Sequence, residues 1–227
     1  MPPYSSPIPN TDLRRIRPGA PSPRAVPILA EMPREALQYC ADIAVDHPAS
    51  VTAETLRGVV RRIAAQKPCI VAVTSFEPRD GQSSFATGLA RTAAQLGLRT
   101  ILLDGNLSHR VHRPGLVAAR TGWVDVLHGR ARVSQSMAKD PRSRMLFMPA
   151  GSGDPRAAWT SGHLLAHLRR VSDFVVIDAA SVAPGGELPL IARLSDALIV
   201  VTTRERARDT DRLCAAASIP AGLVVAG

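Results

Sequence analysis

Six short apolar runs punctuate the chain: residues 69–74 (Cys-Ile-Val-Ala-Val-Thr), 100–104, 144–149, 174–178, 197–202 and 222–226. Most are rich in Val, Ile and Leu and lack the polar alternation of a half-exposed strand, so they suit strands buried on both faces of a sheet. Between them, segments near 82–96, 122–128, 159–171, 186–194 and 207–217 are predicted as helices, and Gly97 closes the first of these. Upstream, Leu37, Cys40, Ile43 and Ala44 recur at helical spacing and predict a helix over 34–46, ended by His47-Pro48. A second helix over 52–66 carries Leu56, Val59, Val60 and Ile63 on one face, with Ser50 or Thr52 as its cap. Strands alternating with helices predict an α/β fold: a mostly parallel sheet with helices on both faces and right-handed crossovers.

Composition refines this picture. The 227 residues, 45% of them hydrophobic, suffice for one sizeable core. Residues 1–33 contain nine prolines, which remove backbone donors and fix φ, so this stretch is expected to be a disordered leader without regular elements. After it come a short amphipathic segment over 34–50 and a main domain over 51–227. No apolar run approaches the roughly 20 residues of a membrane span, and the N-terminus lacks a signal pattern, so a cytoplasmic location is expected. Cys40, Cys69 and Cys214 are far apart and odd in number, which excludes a disulfide framework or metal spacing and predicts buried, reduced thiols. The net charge is +9, and residues 1–50 hold five Arg and five acids, so the excess lies in 51–227. A basic face suits phosphates, nucleic acid or acidic lipid, and is equally the mark of a solvated surface.

The chemistry gathers where strands end, because ligands of such sheets bind beyond the carboxyl ends of the strands. Residues 74–84, Thr-Ser-Phe-Glu-Pro-Arg-Asp-Gly-Gln-Ser-Ser, run from the first buried strand into a helix. A phosphate cradle needs a permissive turn, helix N-terminal N–H groups, a cation and a hydroxyl for Mg²⁺. Gly81, the helix start and Ser83 or Ser84 supply three of these, and Gln82 stands at the cation position. Asp104 and Asp178 close two other strands, and an acid there holds Mg²⁺, orients a water, or caps a helix.

From Glu54 onward the chain resembles the bacterial tyrosine kinases that accompany polysaccharide co-polymerases in capsule and exopolysaccharide export, members of the P-loop NTPase-like class. The resemblance rests on collinear motifs. Pro78-Arg79-Asp80-Gly81-Gln82-Ser83 stands at the family's Pro-Gly-Glu-Gly-Lys-Ser, and Ile101-Leu102-Leu103-Asp104-Gly105-Asn106-Leu107 at its Leu-Leu-Ile-Asp-x-Asp-Leu. Residues 122–129 match its Gly-Leu-x-Asp-Val-Leu-x-Gly, Pro149-Ala150-Gly151 its following turn, residues 173–178 its Walker B strand and Leu194-Ser195-Asp196-Ala197 the entry to its next strand. The resemblance implies ATP or ADP held by Arg79, Asp80, Gly81, Gln82, Ser83 and Ser84, Mg²⁺ held by Ser83, Asp104 and Asp178, and catalysis through Asp104 and Asp178. It also implies an inner-membrane polysaccharide co-polymerase as partner, and ring assembly through a helix with Glu-x-x-Arg-x-x-Arg. Glu54 and Arg57 fit that pattern, with Val60 at its third place and Arg61 beside it. At this spacing the charges pair within the helix or contact a neighbouring subunit.

The departures bear on activity. The family's lysine is Gln82, its glycine Arg79, its second acid Asn106, and the proline after Walker B is Ala180. Arg79 is a candidate substitute cation. The family's tyrosine-rich tail is not expected here, where the only tyrosines are Tyr4 and Tyr39. These features point to a degenerate, kinase-like regulatory partner. The alternatives are an active Mg·ATP-dependent tyrosine kinase or ATPase, and a partition or positioning ATPase on DNA or membrane, against which Glu77 stands where that group carries a second lysine. A metal site from His109, His112 and His128 is disfavoured by Arg110 and Arg113 among them.

Overall fold

The apolar runs assemble into one sheet because each is apolar on both faces and has no stable surface outside it. The computed structural model describes residues 26–65, 69–77, 80–106, 116, 119–152, 162–181, 194–210 and 221–227. Eight described strands form the sheet: β1 Ile28–Met32, β2 Cys69–Ser75, β3 Thr100–Gly105, β4 Ala138–Lys139, β5 Leu146–Met148, β6 Phe174–Ala179, β7 Ala197–Thr203 and β8 Ala221–Ala226. Their order is β1-β8-β7-β2-β6-β3-β5-β4, parallel throughout except that β4 runs antiparallel to β5. The described helices of more than one turn are α1 Arg34–Asp46, α2 Val51–Ile63, α3 Gln82–Gln95, α4 Trp123–Leu127 and α5 His163–Val171. Ser50 caps α2, its side chain accepting from Ala53 N. Most of the helices expected over 186–194 and 207–217, Cys214, and residues 1–25 of the proline-rich leader lie outside the described residues.

Strand alternation divides the core. Val71, Val73, Leu102, Val176, Ile199, Val201 and Val224 face α1, α2 and α3. Ile70, Ala72, Ile101, Leu103, Val175, Ile177, Leu198 and Val200 face the side of α4 and α5. Helix α3 is buried almost along its length, because α1 and α2 cover the side it turns away from the sheet. Its small residues make this possible: a Cβ on Gly88 would sit 2.7 Å from Cys40 O on α1. Burial raises the Cys40 thiol to about 12 and the Cys69 thiol to about 11, so both stay protonated, as the sequence predicts.

Two expectations are corrected. Regular structure begins before residue 34: Ile28–Met32 is a strand, paired parallel to β8. Pro27 and Pro33 bracket this run rather than interrupt it, and an edge strand tolerates proline at its boundary. Helix α1 is built into the main core through Leu37, Cys40 and Ala44, so residues 28–50 share one core with the sheet and α3. The strand expected over 144–149 is shorter, Leu146–Met148, and β4 adds an antiparallel edge that no apolar run announces.

Two aspartates at the amino edge of the sheet hold its register. Asp196 Oδ2 accepts from Ile70 N at 2.7 Å while Asp196 N donates to Ile70 O at 2.8 Å, and Arg169 grips the same carboxylate at 2.6 and 2.7 Å. Asp173 accepts from Arg99 N at 3.0 Å and pairs with the Arg99 guanidinium, while its carbonyl accepts from Cys69 N. A buried pair ties the helical layer down: Arg91, 1% exposed, makes two 3.0 Å bonds to the equally buried Asp140 and donates to Ala41 O on α1. Arg142 extends this contact to Asp42 and Asp46 on α1.

Two glycine-to-alanine substitutions test this packing against each other. Alanine gains roughly 1 kcal/mol over glycine in a helix interior. Gly58 of α2 has open space where a Cβ would go, so Gly58→Ala should stabilise by about 0.5–1 kcal/mol. At Gly88 the α1 backbone is in the way, and an overpacking cost of about 1–3 kcal/mol outweighs the gain. Gly88→Ala should therefore lower the urea midpoint while Gly58→Ala raises it, with unchanged m-values.

Candidate functional site

The site candidates lie at the carboxyl edge of β2, β3 and β6. Asp104 and Asp178 are direct register partners across β3 and β6, and both are buried. In-register residues of parallel neighbours share a face and lie about 4.8 Å apart. Leu102 and Val176, two residues earlier on each strand, belong to the α3 side. The period of two therefore turns both carboxylates toward the face covered by α3. Asp104 Oδ1 accepts from Asn106 N at 3.2 Å, which places Asn106 just past the strand end.

Helix α3 starts directly after Gly81, which has φ +86° and serves as its N-cap. Gln82 is the first helical residue and is 8% exposed; Ser83 follows, half-buried. Asp80 folds back over the loop, its Oδ2 accepting from Glu77 N at 3.0 Å. Burial raises the Asp80 carboxyl, the Glu77 N–H works against this, and the charges of Arg34 and Arg206 also pull it down. Pro78 and Arg79, the latter the candidate substitute cation, lie outside the described residues, as do Leu107, His109, Arg110, His112 and Arg113. His128 ends α4 and its Nδ1 lies 2.8 Å from Val124 O.

The sequence groups Ser84 with the phosphate loop, but its hydroxyl is turned to the helical layer, where Oγ accepts from Ala41 N of α1 at 3.2 Å. Glu54, Arg57 and Arg61 lie along α2, remote in the chain from the loop. Arg57 Nε donates to Glu54 Oε2 at 2.6 Å and Arg61 Nη1 to Oε1 at 3.2 Å, so these charges pair within their own helix on an exposed face. The Arg57 hydrogen bond holds the Glu54 carboxyl below its usual range.

The structure also brings Arg206 to the loop. The turn Arg204–Arg206 follows β7, whose end is paired to the end of β2. Arg206 lies 5.0 Å above the Phe76 ring and 2.5 Å from the Glu77 carboxylate. In the sequence the only signal for this is a basic residue just past a strand end, since its contacts come from the other end of the domain.

The donor set suits Mg²⁺: two carboxylates in register and a serine hydroxyl at a helix start are hard oxygen ligands. The helix start itself offers N–H groups and a positive dipole end to a phosphate. What it lacks is a cation at Gln82.

A second cluster explains why other motifs recur together. Trp123 N donates to Pro149 O and Val124 N to Ala150 O, both at 3.0 Å, so the start of α4 is bonded to the turn after β5. No side chain fits at Gly122, which lies against the Pro149–Gly151 backbone. Asp125 accepts from Gly122 N at 2.9 Å and from Ser152 N at 3.0 Å and Oγ at 2.6 Å, with Arg130 beside it. Trp123 Nε1 donates to Asp104 O at 2.7 Å, which braces the strand end that carries Asp104. Burial alone would raise the Asp125 carboxyl, but the bonds from Ser152, Gly122 and Arg130 outweigh it and bring it to about 2.

Comparison with known proteins places this arrangement. No family model matches the chain. It is 31% identical over 181 residues to the succinoglycan biosynthesis transport protein ExoP of Rhizobium meliloti, covering 72% of this chain and 22% of that protein. It is 26% identical over 149 residues to the tyrosine-protein kinase CpsD of Streptococcus pneumoniae, covering 62% of this chain and 65% of that one. The chain thus spans less than two thirds of either relative. The kinase domain of the Escherichia coli tyrosine kinase ETK superposes with a TM-score of 0.75 at 17% identity, over 89% of this chain and 90% of that one, which establishes the fold.

The Asp125 cluster predicts a pH dependence. A carboxyl lowered to about 2 contributes stability that is present above its unfolded value of roughly 3.9 and is lost as pH falls through 2. Asp125→Asn should therefore cost about 2 kcal/mol at pH 7, as expected for lost hydrogen bonds to a charged group. The gap between wild type and variant in urea unfolding should close as the pH is lowered from 4 toward 2.

Proposed function

Because the chain belongs to the CpsD-like family of bacterial tyrosine-kinase P-loop domains, we propose that it serves polysaccharide biosynthesis and export as a catalytically weakened, kinase-like regulatory partner of an inner-membrane polysaccharide co-polymerase. In this reading the domain works at the cytoplasmic side of the membrane, and its nucleotide state regulates chain length or export through the partner. The observation that carries it is Gln82 at the first position of α3, beside an otherwise retained site of Gly81, Ser83, Asp104 and Asp178.

Phosphoryl transfer depends almost entirely on positioning and on neutralising the charge of the transferring group. Ser83, Asp104 and Asp178 would hold Mg²⁺, which when bound neutralises phosphate charge. The N–H groups at the start of α3 receive a phosphate, and Gln82 donates a hydrogen bond there without charge. Asn106, in place of the second acid, remains a ligand for a metal or water but is a poor base. In assembly, Glu54, the half-buried Arg57 and Arg61 exchange their internal pairs for contacts with a second subunit at little cost, since solvent screens these pairs.

A second reading, an active Mg·ATP-dependent kinase or ATPase, is favoured by the register pairing of Asp104 with Asp178. ATP turnover with Mg²⁺, measured on wild type and Gln82→Lys, separates the two. The weakened-site reading expects Gln82→Lys to raise turnover roughly 10²–10³-fold, by analogy with restoring one charge-stabilising donor. Equal, substantial turnover in both proteins would favour the active enzyme.

A further inference from the structure

We propose that Arg206 is the phosphate-binding cation of this loop, taking over the charge that Gln82 does not bring. The proposal rests on the reading that the loop still accepts a nucleotide, and it names the residue that makes this possible.

The placement is set by the sheet. Ser75 pairs with Val201, and Phe76 N donates to Val201 O at 3.2 Å, so the chain leaving β7 runs beside the chain leaving β2. The turn Arg204–Arg206 therefore overhangs the first residues of the phosphate loop. Arg204 is committed to Glu31 at 2.6 Å. Arg206 instead reaches the loop itself, with its guanidinium 5.0 Å from the Phe76 ring centroid and Nη2 2.5 Å from Glu77 Oε1.

Both members of the Arg206–Glu77 pair are about half exposed, at 45% and 50%. Such a solvent-screened pair is weak, so Glu77 is a partner that a stronger anion displaces. A phosphate carries more charge than a carboxylate and accepts two parallel N–H bonds from the guanidinium fork. Phe76 gives the guanidinium a flat surface to slide on while it exchanges partners, and an arginine remains charged throughout. Glu77 thus holds Arg206 beside the loop and neutralises it until a nucleotide competes. Asp80, whose carboxylate accepts from Glu77 N, keeps that segment folded back toward α3.

The test is calorimetric binding of Mg·ADP and Mg·ATP to wild type, Arg206→Ala, Arg206→Lys, Glu77→Gln and Gln82→Lys, with far-UV CD confirming that each is folded. Arg206→Ala should weaken binding roughly tenfold, the loss of one charge-assisted contact, with Arg206→Lys between it and wild type. Glu77→Gln, which frees Arg206, should tighten binding a few-fold. Unchanged affinity in both Arg206→Ala and Glu77→Gln overturns the proposal. Wild type silent to millimolar nucleotide while Gln82→Lys binds also overturns it, because Arg206 then replaces nothing although the loop is sound. If neither protein binds, the nucleotide reading itself fails and this proposal with it.

Discussion

The register of β6 between β2 and β3 is the constraint on which the candidate site depends. Asp178 meets Asp104 on one side and Val73 on the other only in this pairing. A slip of one residue would turn Asp178 to the opposite face and Ile177 toward α3. At the far end of the same strands Asp173, just before β6, ties Arg99 N and its guanidinium on the β3 side and accepts from Cys69 N on the β2 side, while Asp196 ties β7 to β2 through Ile70 and Arg169. These partly exposed arginine pairs add little stability by themselves. Their value is geometric, because a carboxylate that satisfies both a main-chain donor and a guanidinium has one comfortable position. The acids at the two edges of this sheet therefore stand in different settings: those at the amino edge align strands, and those at the carboxyl edge, Asp104 and Asp178, lie buried side by side.

The helical cover transmits the same order to the phosphate loop. Helix α3 must lie close to the sheet for its first turn to face Asp104 and Asp178, and α1 must lie close to α3 to close the core over it. Alanines along α3 and Gly88 permit the approach, and the buried Arg91–Asp140 pair anchors it. Removing one member of such a pair leaves a buried charge uncompensated, at a cost of about 3–5 kcal/mol. The Ser84 hydroxyl takes part in this packing, for it accepts from Ala41 N of α1. The α4 segment acts at another point: Asp125 locks it to the turn after β5, and Trp123 reaches from it to the carbonyl of Asp104.

Around this rigid frame the loop's charge has been rearranged. Where the family places a lysine on the helix, this chain has a neutral amide, and a cation arrives from the neighbouring strand's exit on a side chain half exposed to solvent. A fixed, buried cation is preorganised for phosphate, whereas a half-exposed one must leave a partner first.

Much of this architecture is legible in the chain. Strands buried on both faces announce themselves as β-branched runs, and five of the six expected runs form strands with ends within about a residue of those read from the pattern. The places of Gly81, Asp104 and Asp178 are also legible, because strand-end acids and a glycine before a helix are local signals. Strand β1 is hidden by the prolines that flank it, and β4 by its two-residue length. What local pattern could not decide is pairing: that Asp104 neighbours Asp178, that Ser84 turns to α1, that Glu54 pairs with both Arg57 and Arg61, and that Arg206 lies on Phe76 and Glu77. Sequence determines which stretches must be buried, since burial is a property of each run's own side chains. Which strand lies beside which, and so which distant charges meet at the sheet edge, is decided only when the whole sheet closes its hydrogen bonds and covers both faces.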